Sequence, residues 1–578
     1  MSNPESWRSR RVRLMHRFHA WLSTRGRPVT GFVAGTEPRS IGAFARGRQL
    51  VAGNLMFGGH LIEAPGRMLW DIPPPDPAFE TQIHGMTWLD DLAAVGDPVA
   101  RERAQDWVWG WIARYGRGTG PGWVPELTAR RLIRLLHHSQ FLLRGRTEAD
   151  TTIFMRALAR QALFLSRRWQ ATEPGPERFE ALTGLIYAGL TLKGMERQVA
   201  IGEKALARQC RSQIDAQGGI PSRNPEELLE VFTLLTWTAQ ALREARRRPS
   251  AEHSGAVERI APTLRTLRHA DGSLARFHGG GRGAEGRLDH ALAASGVRSR
   301  VPGGLSMGYA RLSAGRSSII IDAAAPPHGA ASIGAHASTL AFELTSGRRP
   351  LIVNCGSGAS FGPDWRRAGR ATPSHSTLAI EGYSSARLGR AGRIGGARQE
   401  HLVDAPQHVP VELSHAEDAL RFEGGHDGYV ETHGLTHARR LELTLDGRAL
   451  VGEDMLMALD DAAKQRFDRA NEGGEGVAYQ IRFHLHPEVD AELDMGGMAV
   501  SMALKSGEIW VFRHDGAATL RLEPSVYLER GRLRPRATEQ IVLESTARGH
   551  ASRLRWSLSK AQDTAIAVRD LNREEEEV

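Results

Sequence analysis

Histidines stand at the starts of predicted strands in the second half of this chain. His336 opens HASTLAFEL and His375 opens HSTLAIEG, and the apolar residues that follow alternate as in a half-buried strand. Because both histidines precede successive strands, they are candidates for one shared site, and we expect them to approach each other. The alternative is that each is a loop residue that only forms hydrogen bonds. His484 and His486, in RFHLHP, share one strand face, a spacing that can bind a metal but has no evident third ligand.

A second group of polar residues could supply acid–base chemistry. His426 and Tyr429 lie in the segment GGHDGYVETHGLTHARR, and imidazole and phenol groups can transfer protons to and from a substrate. Tyr187, in the apolar pattern LIYAGL, is expected in a core instead. Three arginines in DWRRAGR could pair with a carboxylate or sulfate, or could form a solvated edge: Arg366, Arg367 and Arg370.

These candidates belong to the second of two halves with different hydrophobic periods. Residues 1 to about 270 carry apolar residues three to four apart, with Gly and Pro between the segments, which predicts helices in antiparallel pairs as an α-helical array or toroid. A Gly- and Arg-rich stretch follows at 271–303. Beyond it the period is two, with Ser-Gly and Asp-Gly turns, which predicts an antiparallel sandwich or stacked sheet.

Composition limits the classes of function. The chain has 578 residues, 75 basic against 66 acidic, a net charge of +9 and a pI of about 9.9. This balance favours acidic partners, or it reflects a GC-rich genome that uses Arg in place of Lys. No nucleic-acid-binding signature is visible, and no apolar run is long enough for a membrane span. The N-terminus does not resemble a secretory signal peptide, so we expect a cytoplasmic chain. Two cysteines, Cys210 and Cys355, argue against a disulfide framework.

The β half resembles the heparinase II/III family of polysaccharide lyases, and the whole chain is similar to bacterial heparinase-superfamily proteins. The resemblance rests on HASTLAFEL, VNCGSG, WRRAGRATPSHSTLAI, HDGYVETHGLTHARRLEL and RFHLHPEV, with weaker matches in HGMTWLDDL and DGSLARFHGGG. It implies an N-terminal incomplete α/α toroid joined to a C-terminal antiparallel β-sandwich, with a cleft between them. We therefore divide the chain into a toroid-like domain with linker at 1–300, the sandwich at 301–561 and an acidic tail at 562–578.

The resemblance also implies a reaction. Family members cleave uronic-acid polysaccharides by β-elimination, which needs a group that neutralises the carboxylate, a base for the C5 proton and an acid for the leaving oxygen. By this interpretation His426 and Tyr429 would be catalytic, and the arginines of DWRRAGR would bind an acidic polysaccharide or oligosaccharide.

A metal site is implied as well. Some family members hold a structural divalent metal in the β domain through two histidines and an aspartate. The corresponding positions here are His336, His375 and Asn354. The resemblance thus implies a zinc or calcium site in which a neutral amide replaces the charged ligand.

The helical half departs from the lyases at their catalytic positions. Arg178-Phe179-Glu180 stands where the lyases carry an Asn-His pair, Glu227 and Leu228 stand where they carry Tyr-His, and Gly334 replaces a histidine. Two functions therefore remain open: a lyase on acidic polysaccharide, or a non-catalytic glycan-binding protein of surface polysaccharide metabolism on the same scaffold. Carboxylates in the cleft would favour the second, because they would repel a uronate. The family's periplasmic members leave the cell envelope open as a compartment, and the sequence does not determine the glycan or the oligomeric state.

Overall fold

The helices of this protein come first along the chain and the long strands second. The computed structural model describes residues 7–26, 29, 31–33, 35, 37–299, 303–394 and 397–561. The helices are α1 (Trp7–Ser23), α2 (Phe44–Ala52), α3 (Pro77–Gly85), α4 (Trp88–Val95), α5 (Pro98–Tyr115), α6 (Pro125–His137), α7 (Ser139–Leu143), α8 (Glu148–Arg168), α9 (Pro176–Thr191), α10 (Arg197–Gln213), α11 (Pro225–Glu244), α12 (Ala251–Thr266), α13 (Arg287–Ser295), α14 (Pro363–Ala368), α15 (Val430–His433) and α16 (Asp461–Ala470).

Local sequence explains where several of these helices begin. The side chain of Asp97 accepts a hydrogen bond from the backbone N–H of Ala100, and Pro98 occupies the first turn, where its missing N–H costs nothing. Thr147 and Asp150 form a reciprocal capping box at the start of α8. Polar caps and the three-to-four spacing together produce the helices that the sequence predicts.

The strands form two large antiparallel sheets and three two-stranded ones. Their bounds are β1 (Asn54–Phe57), β2 (His60–Glu63), β3 (Tyr309–Ala314), β4 (Ser317–Asp322), β5 (Phe342–Ser346), β6 (Arg349–Val353), β7 (Leu378–Ile380), β8 (Arg387–Leu388), β9 (Gly392–Ile394), β10 (Ala397–Gln399), β11 (Leu402–Val403), β12 (Val411–His415), β13 (Ala419–Tyr429), β14 (Leu435–Thr444), β15 (Ala449–Met457), β16 (Val477–Leu485), β17 (Val489–Asp494), β18 (Ala499–Leu504), β19 (Ile509–His514), β20 (Thr519–Tyr527), β21 (Arg536–Ala547) and β22 (Ala551–Lys560).

The two large sheets have distinct strand orders. We call β20-β21-β16-β6-β5-β4-β3, with β7 paired to β16, the inner sheet, and β12-β13-β14-β15-β22-β19-β18-β17 the outer sheet. The small β1–β2 hairpin turns at Gly58 and Gly59, which both have positive φ, and it lies in the half where only helices were expected. Its sequence signal is a Gly-Gly pair between two apolar runs.

The inner sheet is covered on both faces. Ile319 and Ile321 of β4 pack into the core between the sheets, whereas Ile320, between them, packs into the core of the helical half. Every residue of β4 is buried, as in a strand without a solvent face. The helical array therefore packs on the face of the inner sheet that is turned away from the outer sheet. The predicted fold class is confirmed.

Parts of the proposed domain division fall on residues that the structure does not describe. Helix α13 ends at Ser295 and β3 begins at Tyr309. The boundary proposed between residues 300 and 301 and the acidic tail at 562–578 both lie outside the described residues.

Candidate functional site

His336 and His375 are in direct contact, as expected from their positions. His336 Nδ1 lies 3.0 Å from His375 Nε2. His375 Nδ1 lies 2.9 Å from the carbonyl oxygen of Ala371, so it carries the proton and leaves Nε2 as the acceptor. Burial lowers the pKa of both imidazoles, that of His375 to about 4. The pair is therefore neutral, with His336 donating to His375.

Asn354 lies beside this pair but is already engaged. Its Oδ1 accepts from the backbone N–H of Ser376 at 3.0 Å, and its Nδ2 lies 3.4 Å from a Glu343 carboxylate oxygen. Two neutral imidazoles and a neutral amide supply no charge to a divalent ion, and the imidazoles bond to each other. Within the described residues, no three His, Cys, Asp or Glu side chains are grouped to hold a metal. These residues do not fit a divalent metal as they stand, and the zinc or calcium site remains only a prediction.

A third histidine extends the cluster toward the helical half. His278 Nδ1 accepts from the backbone N–H of His336 at 3.2 Å, and its Nε2 lies 3.4 Å from Asp322. The other oxygen of Asp322 binds the Arg223 guanidinium at 2.5 Å. Sequence reasoning gave His278 no role, although it lies in the family-like stretch DGSLARFHGGG. The cluster joins the two halves of the chain through buried groups, in which His278 Nε2 approaches Asp322 without a hydrogen bond.

Carboxylates stand at the positions of the helical half where the resemblance implies lyase catalytic residues. Glu180 of α9 forms a bidentate pair with Arg130 of α6, at 2.8 and 2.6 Å. Glu227 of α11 accepts from the Ser222 hydroxyl at 2.6 Å, and burial raises its pKa. Both glutamates are thus held in place by local partners.

Two further glutamates make this region acidic. Burial, followed by the carboxylates of Glu177 and Glu180, raises the pKa of Glu126 to about 7. Glu227 acts electrostatically on Glu177 as well. We call Glu126, Glu177, Glu180 and Glu227 the acidic cluster. It would repel a uronate carboxylate rather than neutralise it.

His426 and Tyr429, the predicted catalytic pair, lie in the core between the sheets. His426 is 1% exposed and Tyr429 is fully buried, and the Tyr429 hydroxyl donates to the carbonyl of Leu378 at 3.1 Å. His426 accepts from the backbone N–H of Gly428 through Nδ1 and lies 3.2 Å from His437 through Nε2. Burial lowers the pKa of His426 and raises that of Tyr429. In this arrangement neither group faces solvent.

The three predicted substrate-binding arginines separate into two kinds. Arg370 is buried and donates to the carbonyls of Ser332, Ala335 and Glu400. Arg366 donates to a backbone carbonyl at 3.1 Å, and exposed Arg367 pairs with the Glu400 carboxylate at 2.9 Å. Arg370 therefore holds loops together, while the other two remain at the surface.

The N-terminal helix α1 presents a second candidate surface, which sequence reasoning did not single out. Its inner side packs on α8, where Arg168 Nε lies 3.2 Å from His16 Nδ1. Its outer side exposes large apolar side chains spaced seven, four and three residues apart: Trp7 (72%), Leu14 (63%), Phe18 (50%) and Trp21 (44%). The spacing was available in the sequence, but the exposure was not.

Arginines flank that apolar stripe. The helix contains no acidic residue, and four of its arginines are solvent-exposed: Arg10, Arg11, Arg13 and Arg17. We call the apolar stripe and these arginines the α1 surface. Aromatic and aliphatic side chains bordered by arginines are typical of helices that lie in the interface of an anionic membrane. Among the described residues, no helix is long and apolar enough to cross a membrane.

Comparison with known proteins identifies relatives along nearly the whole chain. A family model described as "Heparinase II/III-like, C-terminal" matches residues 297–557. A Caulobacter vibrioides (strain NA1000 / CB15N) protein named "FtsZ-localized protein C" is 32% identical over 537 residues, covering 91% of this chain and 89% of the relative.

Solved structures show the same architecture. A crystal structure of heparinase III matches with a TM-score of 0.68 at 14% identity, covering 96% of this chain and 92% of that chain. A heparan sulfate lyase HepC mutant from Pedobacter heparinus matches with a TM-score of 0.56 at 14% identity, covering 96% and 90%. At these identities the likeness is one of fold, and it places the helical half and the sandwich in a polysaccharide-lyase-like arrangement.

Proposed function

This chain belongs to the heparinase II/III-like family, and from that premise we propose that it is a non-catalytic member that docks on the membrane where FtsZ assembles. The α1 surface carries the proposal, because it combines exposed aromatic side chains with arginines on a helix whose other side is packed. The name of the Caulobacter relative, "FtsZ-localized protein C", supports the location. By this proposal the chain acts on the cytoplasmic side.

The acidic cluster supports the non-catalytic part of the proposal. A uronate lyase must neutralise the substrate carboxylate before the neighbouring C–H can lose its proton. The family resemblance assigns Glu180 and Glu227 to the corresponding positions, and the Arg130 guanidinium is already paired with Glu180. The buried positions of His426 and Tyr429 give an acidic glycan no contact with either group.

Vesicle co-sedimentation tests the membrane-docking proposal. We expect the full chain to sediment with vesicles containing phosphatidylglycerol and not with pure phosphatidylcholine, and to be partly released by salt because the arginine attraction is screened. The double substitution Leu14→Glu, Phe18→Glu should weaken binding at least about tenfold, since it places carboxylates in the apolar stripe. Purified FtsZ should sediment with vesicles that carry the wild-type chain, and it should not sediment with vesicles mixed with the double variant.

The matched control is Leu459→Glu. Leu459 is 65% exposed, as Leu14 is, but it precedes α16 in the sandwich. This variant should bind vesicles like the wild type. Equal binding by the Leu14→Glu, Phe18→Glu variant, or binding to neutral vesicles alone, would contradict the membrane assignment. Vesicle binding without FtsZ recruitment would contradict the division-site assignment.

The alternative function, cleavage of acidic polysaccharide by β-elimination, has its own test. The purified chain is incubated with heparan sulfate, alginate and hyaluronan, and the ultraviolet absorbance of the unsaturated uronate product is followed. We expect a flat trace with all three. A rising trace that disappears in Tyr429→Phe would establish a lyase site and overturn the non-catalytic assignment.

A further inference from the structure

A cavity of about 640 Å³ lies between the segment that follows α12 and the β5–β6 side of the inner sheet. Its walls come from both halves of the chain, and its volume falls in the range of small-molecule sites. Of the histidines considered in the sequence analysis, His486 lines it, whereas the predicted catalytic pair and the arginines of DWRRAGR do not. Five arginines surround it: Arg268, Arg276, Arg282, Arg348 and Arg349.

Buried polar groups without partners line this cavity. His269 is 4% exposed, and its Nε2 bonds to Glu343 at 2.9 Å, but its Nδ1 has no hydrogen-bond partner among the described residues. The Thr345 hydroxyl, on a residue 2% exposed, and Arg268 Nε are likewise unsatisfied within the described part of the chain. Leaving a buried polar group without a partner is unfavourable, and three such groups belong to residues that line this one cavity, which favours a ligand that pairs with them.

The arginines supply more donors than their protein contacts use. The Arg276 guanidinium donates to the carbonyls of Asn354, Cys355 and Leu528, pairs with no carboxylate of the described residues, and lies 3.9 Å from the centre of the Tyr527 ring. Exposed Arg348 forms no ion pair with any described residue. Each guanidinium has five N–H donors and no acceptor, so the cavity retains donor capacity.

Five carboxylates also line the cavity: Asp271, Glu285, Asp289, Glu343 and Glu488. Asp271 accepts from the Ser273 hydroxyl. Glu343 accepts from His269 and from the backbone N–H of Arg276, Asp289 pairs with Arg268 at 3.0 Å, and Glu488 pairs with Arg349 at 3.4 Å. Guanidinium groups that do not pair with these carboxylates, such as those of Arg276 and Arg348, offer donors to a ligand. A ligand rich in acceptor oxygens is needed to satisfy them.

We propose that this cavity binds a small phosphate monoester that also carries hydroxyl groups, such as a sugar phosphate. A phosphate dianion offers three oxygens to guanidinium forks such as those of Arg348 and Arg268. His269 donates to Glu343 through Nε2, which leaves Nδ1 to accept from a ligand hydroxyl, and the Thr345 hydroxyl can serve either group. The site is independent of the α1 surface and of membrane docking.

Isothermal titration calorimetry on the full chain tests this site with glucose 6-phosphate as the probe. Glucose and inorganic phosphate, each carrying half of the proposed chemistry, should bind at least about tenfold more weakly. Arg348→Ala removes an exposed side chain that pairs with no described residue, so the fold should be unaffected and the affinity should fall about tenfold. Thr345→Val keeps the shape and removes the unsatisfied hydroxyl, and it should also weaken binding.

Arg513→Ala is the matched control, because Arg513 is an exposed arginine of the outer sheet, away from the cavity. It should bind the probe like the wild type. The proposal is overturned if glucose 6-phosphate does not bind, or if its affinity is unchanged in Arg348→Ala. Glucuronate binding as tightly as glucose 6-phosphate would overturn the phosphate assignment and indicate a carboxylate site.

Discussion

Burial lowers the pKa of His426 and of His437, and a chain of hydrogen bonds connects these two imidazoles. The backbone N–H of Gly428 donates to His426, which leaves His426 Nε2 to donate to His437, whose own Nε2 lies 2.8 Å from Asp454 Oδ1. Asp454 also binds the buried Arg439 at 2.8 Å and the indole N–H of Trp556 at 2.9 Å. Every polar atom named here has a partner, so this network stabilises the sandwich rather than exposing a base to a substrate.

Asp454→Asn tests the structural role of that network. The amide cannot accept from every donor around it and leaves Arg439 buried beside a neutral partner, so we expect the free energy of unfolding to fall by about 3–5 kcal/mol in urea denaturation. The matched control is Glu423→Gln, whose half-exposed partner is Arg440 on the same pair of strands. It should cost less than about 1 kcal/mol. Equal losses of unfolding free energy in the two variants would show that the buried network contributes no more to stability than the half-exposed ion pair.

The comparison of the wild type with Asp454→Asn also predicts how the free energy of unfolding depends on pH. Burial alone would raise the pKa of Asp454, but the Arg439 guanidinium and His437 hold it below its ordinary value. A carboxyl whose pKa is lower in the folded state than in the unfolded state stabilises the protein fully at pH values above the unfolded-state pKa, which is about 3.9 for Asp. This contribution is lost as the pH falls below that value. The stability gap between wild type and Asp454→Asn should therefore narrow below about pH 4.

At the scale of elements, strand register creates these contacts. Along β14 the alternation turns Leu435, His437, Arg439 and Leu441 inward together. His437 lies opposite His426 of β13, and Arg439 lies opposite Asp454 of β15. A shift of one residue in either pairing would turn the buried charges to solvent and the solvent-facing residues to the core.

Close packing between β15 and β22 limits substitution at Gly452. An added Cβ there would lie 2.1 Å from a carbon of the Trp556 ring, which is buried directly opposite. Gly452→Ala should therefore displace the indole and lower the free energy of unfolding by about 1–3 kcal/mol. Gly473→Ala is the control, since no atom lies within 4 Å of its added Cβ, and it should be neutral within about 0.5 kcal/mol. A neutral Gly452→Ala would show that Trp556 has room to move.

At the scale of the whole molecule, Arg223 joins the helical half to the sandwich. Its guanidinium donates to the carbonyls of Met307, Gly308 and Ala325 and binds the buried Asp322 carboxylate. One side chain thus satisfies several buried acceptors at the start of the inner sheet. This contact, together with the apolar packing of Ile320, holds the two halves in one arrangement.

Arg223→Met tests that linkage by calorimetry. The substitution leaves Asp322 buried without its cation, so we expect a loss of about 3–5 kcal/mol and a thermal transition that separates into two. Arg211→Met is the control, because Arg211 pairs with Glu252 at the surface of the helical half, and its midpoint should not change measurably. A single unshifted transition in Arg223→Met would show that other contacts couple the halves.

The sequence alone determined the classes of structure and the family. Helical and strand periods differ along the chain because helices repeat every 3.6 residues and strands every two, and this pattern predicted a toroid followed by a sandwich. It also predicted that His336 and His375 meet, since both precede strands of the same domain. The motifs of the β half were specific enough to indicate the heparinase II/III-like family.

The tertiary structure decided which polar residues are accessible. Nothing local distinguishes a buried His426 from an exposed one, because its burial depends on strands far away along the chain. The exposed stripe of α1 follows from the docking of its other face on α8, and the unsatisfied groups of His269 and Thr345 meet only where two halves of the chain pack together. Accessibility is a property of packing between distant segments, and the local sequence pattern carries little of that information.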